Sequence, residues 1–369
     1  MNTQLDIVFL GLSLSSSWGN GHATTFRGLL RGLNELGHRV IFLERDVPWY
    51  AQHRDLHDPD FCALRYYDRV DDLRRSHERE LQRADIVVMG SFVPEGKGVI
   101  DSLTSLCTGQ LCFYDIDTPV TLAKLAEDDC DYLARRQVPY FDCYFSFTGG
   151  PTLDRLKSEF GARRAEALYC SVDPKRHHRI ETAIQWDLGY LGTYSADRQP
   201  ALETLLIEPA RRLPEQRFVV AGSQYPTDII WPDNIERIDH LPPDEHAAFY
   251  SSQRYTLNLT RRSMIEAGWS PSVRLFEAAA CATPIISDRW PGLDSLFPQS
   301  AIETAASAQD VIRILDSQSE RTRLSVARQA QAIVLADHTG AARAKELISK
   351  LMQPDQARQA LGQNAESAA

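Results

Sequence analysis

One segment of the sequence combines the residue types that hold an anion at the start of a helix. Residues 268–281 read GWSPSVRLFEAAAC, and their apolar spacing predicts a helix over residues 271–281. Ser270 can cap that helix and Pro271 suits its first turn, which leaves unpaired backbone amides at the helix start. Such amides attract negative charge. We therefore predict that a diphosphate binds at this helix start.

Two charged residues follow within the same predicted helix. Glu277 lies about two turns in, and Arg274 stands one turn before it, so both can line one cleft. A carboxylate there can accept hydrogen bonds from two ribose hydroxyls. The same spacing also fits a solvated i, i+3 ion pair that contributes little to stability. Spacing alone leaves both interpretations open.

Two adjacent arginines precede this segment. Arg261, Arg262 and Arg274 are expected near the diphosphate, where a guanidinium can neutralise the charge on a leaving group in place of a metal ion. Side chains alternate in direction near a strand end, so one of the adjacent pair must face solvent. We favour Arg261 as the catalytic arginine.

Further donor contacts are predicted in the loops that follow successive strands of the second half. Ligands bind at the carboxyl ends of strands in open α/β sheets. The predicted donor-binding residues in these loops are Gly192, Thr193, Tyr194, Arg198, Gly222, Ser223, His240 and Leu241. Arg198 can reach a phosphate, although a solvated arginine fits the sequence equally well.

The acceptor side is predicted from the first half. WGNGHATTFRGL places Gly19, Asn20 and Gly21 before a helix, where the backbone can approach a sugar or phosphate closely. The third glycine of GxGxxG is absent, which disfavours NAD binding. His22 is a candidate proton shuttle, and a capping or buried histidine is the alternative. The aromatic and charged segment 44–56 also suits a polar acceptor, or a packed surface loop.

Asp115 and Asp117 form a DxD pair. Such a pair could bind a divalent metal ion with the donor diphosphate, which gives a metal-dependent alternative. The pair is far in sequence from the predicted phosphate helix, so we interpret Asp117 as a catalytic candidate on the acceptor side and Asp115 as structural. The favoured interpretation assigns no metal-ligating residue.

Composition restricts the class of protein. The 369 residues carry 40 Lys and Arg against 50 Asp and Glu, and the net charge of −10 disfavours nucleic acid as a partner. The seven cysteines form no CxxC pair and are odd in number, which disfavours a zinc site and a disulfide framework. With no basic leader and no long apolar run, we expect a cytoplasmic protein without a transmembrane segment.

Short apolar runs alternate with helical periodicity, which predicts an α/β fold with two Rossmann-like domains facing a central cleft. A helix is expected from residue 22 to 36, capped by Gly37. Strands are predicted at residues 6–12, 39–44, 84–90, 111–116, 143–147, 167–170, 187–194, 217–224, 234–241, 255–260, 283–288 and 301–307. The predicted divisions are an acceptor-side domain at 1–172, a linker at 173–187, a nucleotide-sugar domain at 188–335, a helix at 336–352 that packs back toward the first domain, and a flexible tail at 353–369.

Four segments resemble the CgeB-type, spore-maturation-like glycosyltransferase family. They are FYDIDTPVTL at 113–122, NLTRRSM at 258–264, SPSVRLFEAAAC at 270–281 and DHT at 337–339. The resemblance implies a GT-B fold with a C-terminal domain like that of the retaining group 1 enzymes. It also implies that Glu277 holds the nucleotide ribose and that Ser270 and Ser272 hold the diphosphate.

One position departs from that pattern. Many retaining relatives place a second glutamate eight positions before the ribose-binding one, and Trp269 stands there in this sequence. Glu266 could substitute for that carboxylate, or Trp269 could stack on a base or sugar.

The favoured hypothesis is therefore a glycosyltransferase of the hexosyl or a related type. It would use a UDP-, GDP- or dTDP-linked sugar as co-substrate and no cofactor, would act on a small-molecule, glycan or protein acceptor, and would be retaining and metal-independent. The alternatives are a non-catalytic nucleotide-sugar or glycan-binding scaffold and a metal-dependent transferase using Asp115 and Asp117.

Overall fold

The computed structural model describes residues 4–18, 21–317 and 319–353. The strands in these residues are β1 Asp6–Gly11, β2 Arg39–Arg45, β3 Ala63–Tyr67, β4 Ile86–Gly90, β5 Gln110–Asp115, β6 Cys143–Ser146, β7 Ala165–Ala167, β8 Trp186–Leu191, β9 Phe218–Ala221, β10 Ile235–Ile238, β11 Gln253–Asn258, β12 Ile285–Ser287 and β13 Glu303–Thr304.

The helices in the same residues alternate with these strands. They are α1 Gly21–Glu35, α2 Pro48–Ala51, α3 Val70–Ser76, α4 Glu78–Arg83, α5 Gly96–Leu106, α6 Thr118–Ala126, α7 Pro151–Ser158, α8 Gln199–Leu202, α9 Glu208–Arg212, α10 His246–Ser251, α11 Arg262–Ala267, α12 Val273–Ala280, α13 Leu293–Leu296, α14 Ala308–Ser317, α15 Glu320–Asp337 and α16 Gly340–Met352. A π-helical turn at Glu203–Ile207 joins α8 to α9, and a 3₁₀ helix lies at Arg135–Tyr140.

The strands form two parallel sheets, one in each half of the chain. The first has the order β3-β2-β1-β4-β5-β6-β7 and the second the order β10-β9-β8-β11-β12-β13. Helices cover both faces, which is why a central strand such as β1 is a continuous buried apolar run. The α/β class and the two Rossmann-like halves predicted from sequence are confirmed.

Every predicted strand is present with its ends shifted by no more than three residues, and one observed strand was not predicted. The edge strand β3 was not predicted, because ALRYY alternates exposed and half-buried residues and lacks an apolar run. The strand predicted at 167–170 is instead β7, Ala165–Ala167. The apolar residues Leu168 and Cys170, which suggested a strand, are buried in two hydrophobic cores next to the segment that leads from β7 to the second half.

The last helix returns to the first half of the chain. Helix α16 packs against α1, and the contact is close because glycines line it. A Cβ on Gly32 would lie 2.6 Å from the Gly340 carbonyl oxygen, and one on Gly340 would lie 2.2 Å from the Gly28 carbonyl oxygen. At its other end α1 stops at Glu35, and the turn that follows contains Gly37, whose φ of 87° suits glycine.

Candidate active site

A cavity of about 670 Å³ lies between the two halves, at the carboxyl ends of strands from both sheets. One wall comes from the first half and carries Gly21, His22 and Asp117. The facing wall carries Arg261, Ser272 and Glu277. Parallel strands direct their following loops to one edge, so the two sheets together place these side chains across a single space.

The helix start at this cavity lies two residues later than predicted. Ser272 has extended dihedral angles and its Oγ accepts from the Arg274 amide at 3.4 Å, so Ser272 is the N-cap of α12. Ser270 cannot cap the helix because it is buried, and its Oγ hydrogen-bonds with Thr148 Oγ1 across the two halves at 3.0 Å. Ser270 therefore joins the halves, and Ser272 presents the free amides to the cavity.

Glu277 lies just over one turn into α12 and lines the cavity with a side chain that is 15% exposed. The Tyr250 hydroxyl donates to its Oε2 at 3.3 Å. His177 Nε2 lies 3.6 Å from its Oε1. A half-buried carboxylate with few strong donors keeps acceptor capacity for a ligand hydroxyl.

Arg274 does not share the cavity with Glu277 as predicted. The side chain is buried, with Nε donating to the Leu191 carbonyl at 2.6 Å and Nη1 to Asn258 Oδ1 at 3.2 Å. Its guanidinium also lies 4.9 Å from the centre of the Tyr190 ring. Arg274 thus ties the end of β8 to the end of β11, and these acceptors hold its guanidinium in the sheet edge and away from the cavity.

The two adjacent arginines have separate environments. Arg261 lines the cavity. Arg262 is exposed and its Nε donates to Glu266 Oε1 at 2.8 Å, so neither Arg262 nor Glu266 reaches the cavity. Glu266 is therefore not placed to replace the missing glutamate, because it lies on the outward face of α11.

Asp288 fixes the loop that carries Arg261, and sequence reasoning did not single it out. Its two carboxylate oxygens accept from the Thr260 amide and the Thr260 hydroxyl, each at 2.8 Å. Burial raises the pKa of Asp288, and these hydrogen bonds oppose the shift.

The predicted donor loops at the ends of β8 and β9 lie side by side, outside the lining of the 670 Å³ cavity. Gly192 donates its amide to Ala221, Tyr194 donates its amide to Ser223, and Arg198 Nη2 donates to the Thr193 carbonyl at 2.7 Å. Gly222 has φ of 145°, and a Cβ there would lie 2.1 Å from the Gly192 oxygen. His240 is exposed in the loop after β10, and the half-buried Leu241 packs against the core.

Positive charge accumulates beside these loops. Burial lowers the pKa of Arg198, and the neighbouring charges of Arg274 and Arg261 act in the same direction. The buried Nε of Arg198 has no hydrogen-bond partner among the residues that the structure describes. Uncompensated guanidinium groups favour an anionic ligand.

Trp269 is a contact between the halves and not an open stacking surface. Its carbonyl accepts from the Gly149 amide at 2.9 Å. A Cβ on Gly150 or on Gly292 would lie 2.5 Å from the indole ring. The indole is therefore covered by backbone at both glycines, so it is not free to stack on a base or sugar there.

On the opposite wall His22 Nε2 and Asp117 Oδ2 are 3.0 Å apart. His22 is the second residue of α1, and Asp117 precedes α6. Among the described residues, nothing outside the immediate chain neighbours and the helix's own backbone lies within 4 Å of a Cβ built on Gly21, which leaves room beside the histidine. Gly19 and Asn20 fall outside the described residues.

Asp115 and Asp117 face different surroundings. Asp115 is fully buried, and its oxygens accept from Thr121 Oγ1 at 2.7 Å and from the Tyr144 hydroxyl at 2.6 Å. Burial raises the pKa of Asp115 to about 6, and those hydrogen bonds oppose the shift. Asp115 is thus held by buried hydroxyl donors, whereas Asp117 meets His22 at the cavity.

Two histidines beside Glu277 were not predicted as site residues. His177 lies in the segment treated as a linker, and His246 begins α10. Burial lowers the pKa of His246, while the nearby Glu277 charge opposes the shift. The pair HH at 177–178 in an otherwise solvated segment was the available signal, although its contact with Glu277 depends on the fold.

A second cavity, of about 740 Å³, lies at the amino ends of β1 and β2, where its lining includes Asp6, His38 and Arg39. It contains none of the predicted site residues, and the carboxyl ends of parallel strands are the usual ligand edge. The cavity between the halves is therefore the better candidate.

Comparison with known proteins finds similarity to glycosyltransferases. Residues 198–349 match the family model described as glycosyl transferase-like. A search of curated proteins finds no significant match. Within the described residues, no helix combines the length and apolarity that crossing a bilayer requires.

Solved structures of similar fold cover nearly the whole chain. Sucrose-phosphate synthase from Thermosynechococcus elongatus is 14% identical with a TM-score of 0.66, over 95% of this chain and 99% of that one. HepE of Anabaena, in complex with UDP-glucose, is 11% identical with a TM-score of 0.65, over 95% and 100%. An alpha-glucosyltransferase in complex with UDP-glucose and DNA is 12% identical with a TM-score of 0.68, over 94% and 99%. The chain has the GT-B fold of these glycosyltransferases.

Proposed function

We propose that this chain is a glycosyltransferase that takes a sugar from a nucleotide-diphosphate donor. The observation that carries the proposal is the cavity in which Ser272, Arg261 and Glu277 face His22 and Asp117. The match to the glycosyl transferase-like model supports it, as do the similar structures that hold UDP-glucose. The CgeB-type resemblance supports the same class and remains part of the proposal.

The donor would lie along the wall of the second half. Glu277 accepts hydrogen bonds from the ribose hydroxyls, and the free amides after Ser272 face the diphosphate. Arg261 and Arg198 neutralise the phosphates, while the buried charge of Arg274 adds to the positive field behind them. Positively charged groups are common in sites that release a diphosphate because negative charge grows on the leaving oxygen.

The proposed reaction retains the anomeric configuration and needs no metal ion. The bond between sugar C1 and the phosphate oxygen breaks, and the bond between C1 and the acceptor oxygen forms on the same face. The acceptor hydroxyl proton passes to the departing diphosphate oxygen. His22, held by Asp117, contacts the sugar or acceptor from the first half.

The experiment is turnover of a panel of nucleotide sugars by the purified full chain in excess chelator. Release of nucleoside diphosphate with transfer or hydrolysis of one sugar is expected. Absence of turnover together with tight donor binding would favour the non-catalytic scaffold. This alternative is tested because Trp269 replaces the glutamate that many retaining relatives have at this position. Turnover that chelator abolishes would instead favour the Asp115 and Asp117 metal alternative.

A further inference from the structure

Three potential metal ligands converge at the base of the proposed ribose site. His177 comes from the segment that joins the two sheets, His246 from the first turn of α10, and Glu277 from α12. One ligand atom from each lies within 4.8 Å of the other two. His177 Nε2 lies 3.6 Å from Glu277 Oε1.

His177 lacks the partners that a buried imidazole requires. It is 7% exposed, and neither ring nitrogen has a hydrogen-bond partner among the described residues. The 3.6 Å approach to Glu277 is too long for a hydrogen bond. A buried polar group without a hydrogen-bond partner destabilises the fold, so this histidine points to a missing ligand.

The spacing suits a tetrahedral divalent ion. Zinc lies about 2.0–2.2 Å from histidine nitrogen and carboxylate oxygen, which separates tetrahedral ligand atoms by about 3.4 Å. The cluster is slightly wider and needs only small side-chain movements to close on an ion. Three protein ligands leave a fourth position open, and Glu277 lines the cavity on that side.

Neighbouring groups hold two of the three ligands in place. The Tyr250 hydroxyl donates to Glu277 Oε2 at 3.3 Å, which leaves Oε1 directed toward His177. His246 hydrogen-bonds with the main chain of Leu241, which orients its ring. Outer hydrogen bonds of this kind are characteristic of protein metal sites.

We propose that His177, His246 and Glu277 form a binding site for a divalent transition metal, with zinc favoured by its nitrogen and oxygen ligands. The site shares no residue with the predicted DxD pair, whose Asp117 lines the opposite wall of the cavity. A second consequence rests on the proposed function: with Oε1 on the ion and Oε2 accepting from Tyr250, Glu277 has little acceptor capacity left for a ribose, so metal and nucleotide compete.

Cobalt(II) titration of the metal-free full chain tests the site, because tetrahedral cobalt absorbs visible light. We expect binding of one ion per chain with tetrahedral bands and displacement by zinc. His177→Ala and His246→Gln should each weaken cobalt binding by about a hundredfold or more, since loss of an outer partner alone costs about 10–100-fold. His178→Ala, the exposed neighbour, should bind cobalt as the unmodified chain does.

Circular dichroism establishes that each variant is folded, and Glu277→Gln provides a third variant if one histidine substitution unfolds the chain. Absence of tetrahedral cobalt in the unmodified chain would overturn the proposal, as would unchanged binding in the folded variants. Strong thiolate-to-cobalt bands would also overturn it by assigning the ion to cysteine. If zinc binds but nucleotide affinity does not change, the metal site is supported and only the proposed contact of Glu277 with the ribose is contradicted.

Discussion

Asp115 and Asp117 are only two positions apart in the sequence, yet their side chains have different surroundings. Asp115 is enclosed by Tyr144 and Thr121, whereas Asp117 is 46% exposed and meets His22 at the cavity. Sequence analysis interpreted Asp115 as structural and Asp117 as the acceptor-side candidate, but only the fold shows which groups surround each carboxyl. The same limit applies to Arg274, whose direction into the sheet edge depends on β8 and β11, and to His177, whose nearest carboxylate is a hundred positions away.

Asp115→Asn should remove a pH dependence of stability. The folded pKa of about 6 lies above the reference value of 3.8, so protonated Asp115 stabilises the fold below pH 3.8, and this contribution is lost as pH rises through 6. The unmodified chain should lose up to about 3 kcal/mol more than the variant between pH 4 and 7. Urea unfolding at both pH values measures this, and parallel losses in the two proteins would contradict it.

His22→Ala should lower turnover by about 100-fold while leaving nucleotide affinity unchanged, because His22 faces the acceptor side of the cavity. Steady-state kinetics and nucleotide titration separate the two effects. His57→Ala, an exposed histidine of the same half, is the control. Turnover equal to that of the control would exclude a chemical role for His22.

At the scale of elements, apolar runs that alternate with helical periodicity were sufficient to predict nearly all the strands. They also predicted α1 and α12, the two helices that carry His22 and Glu277. Strand β3 escaped because an edge strand is half solvated and lacks a continuous apolar run. The start of α12 was placed at Ser270 because sequence could not show that Thr148 engages this serine. Local patterns therefore predict elements well, and contacts between distant elements decide which side chains enter the site.

Gly222→Ala should destabilise the donor loop. The φ of 145° and the 2.1 Å approach of a Cβ to the Gly192 oxygen require a backbone shift. We expect a loss of about 1–3 kcal/mol in the free energy of unfolding, together with weaker nucleotide binding. Gly98→Ala in α5, where a Cβ meets only Val70 at 3.7 Å, should not destabilise the chain. Equal stability of both variants, measured by urea unfolding, would contradict the strained-loop account.

At the scale of the whole molecule, a helix contact ties the second half back to the first. Helix α16 packs on α1 through Gly28, Gly32 and Gly340, so the second half is attached to the first both by the crossing segment and by this return. The facing walls of the cavity depend on that arrangement. If residues 173–187 form the linker between two domains, as we propose, the domains can close on a donor bound in the cleft.

Gly340→Val should weaken this return by forcing α16 away from α1, because a Cβ would lie 2.2 Å from the Gly28 carbonyl oxygen. The expected cost is about 1–3 kcal/mol, seen as a lower midpoint in thermal unfolding. Ser349→Val on the exposed face of the same helix is the matched control. A variant as stable as this control would show that the close helix contact contributes little.

The central claim is that the cleft wall formed by α12 binds a nucleoside diphosphate through Glu277. Calorimetric titration with UDP, GDP, ADP and dTDP, in chelator to keep metal off Glu277, tests it most directly. We predict that one nucleotide binds the unmodified chain and that Glu277→Gln weakens its binding by about ten- to a hundredfold, since hydrogen bonds to a charged group contribute about 1.5–3 kcal/mol. Binding of none of the four nucleotides, or equal affinity in a folded Glu277→Gln variant, would contradict the account.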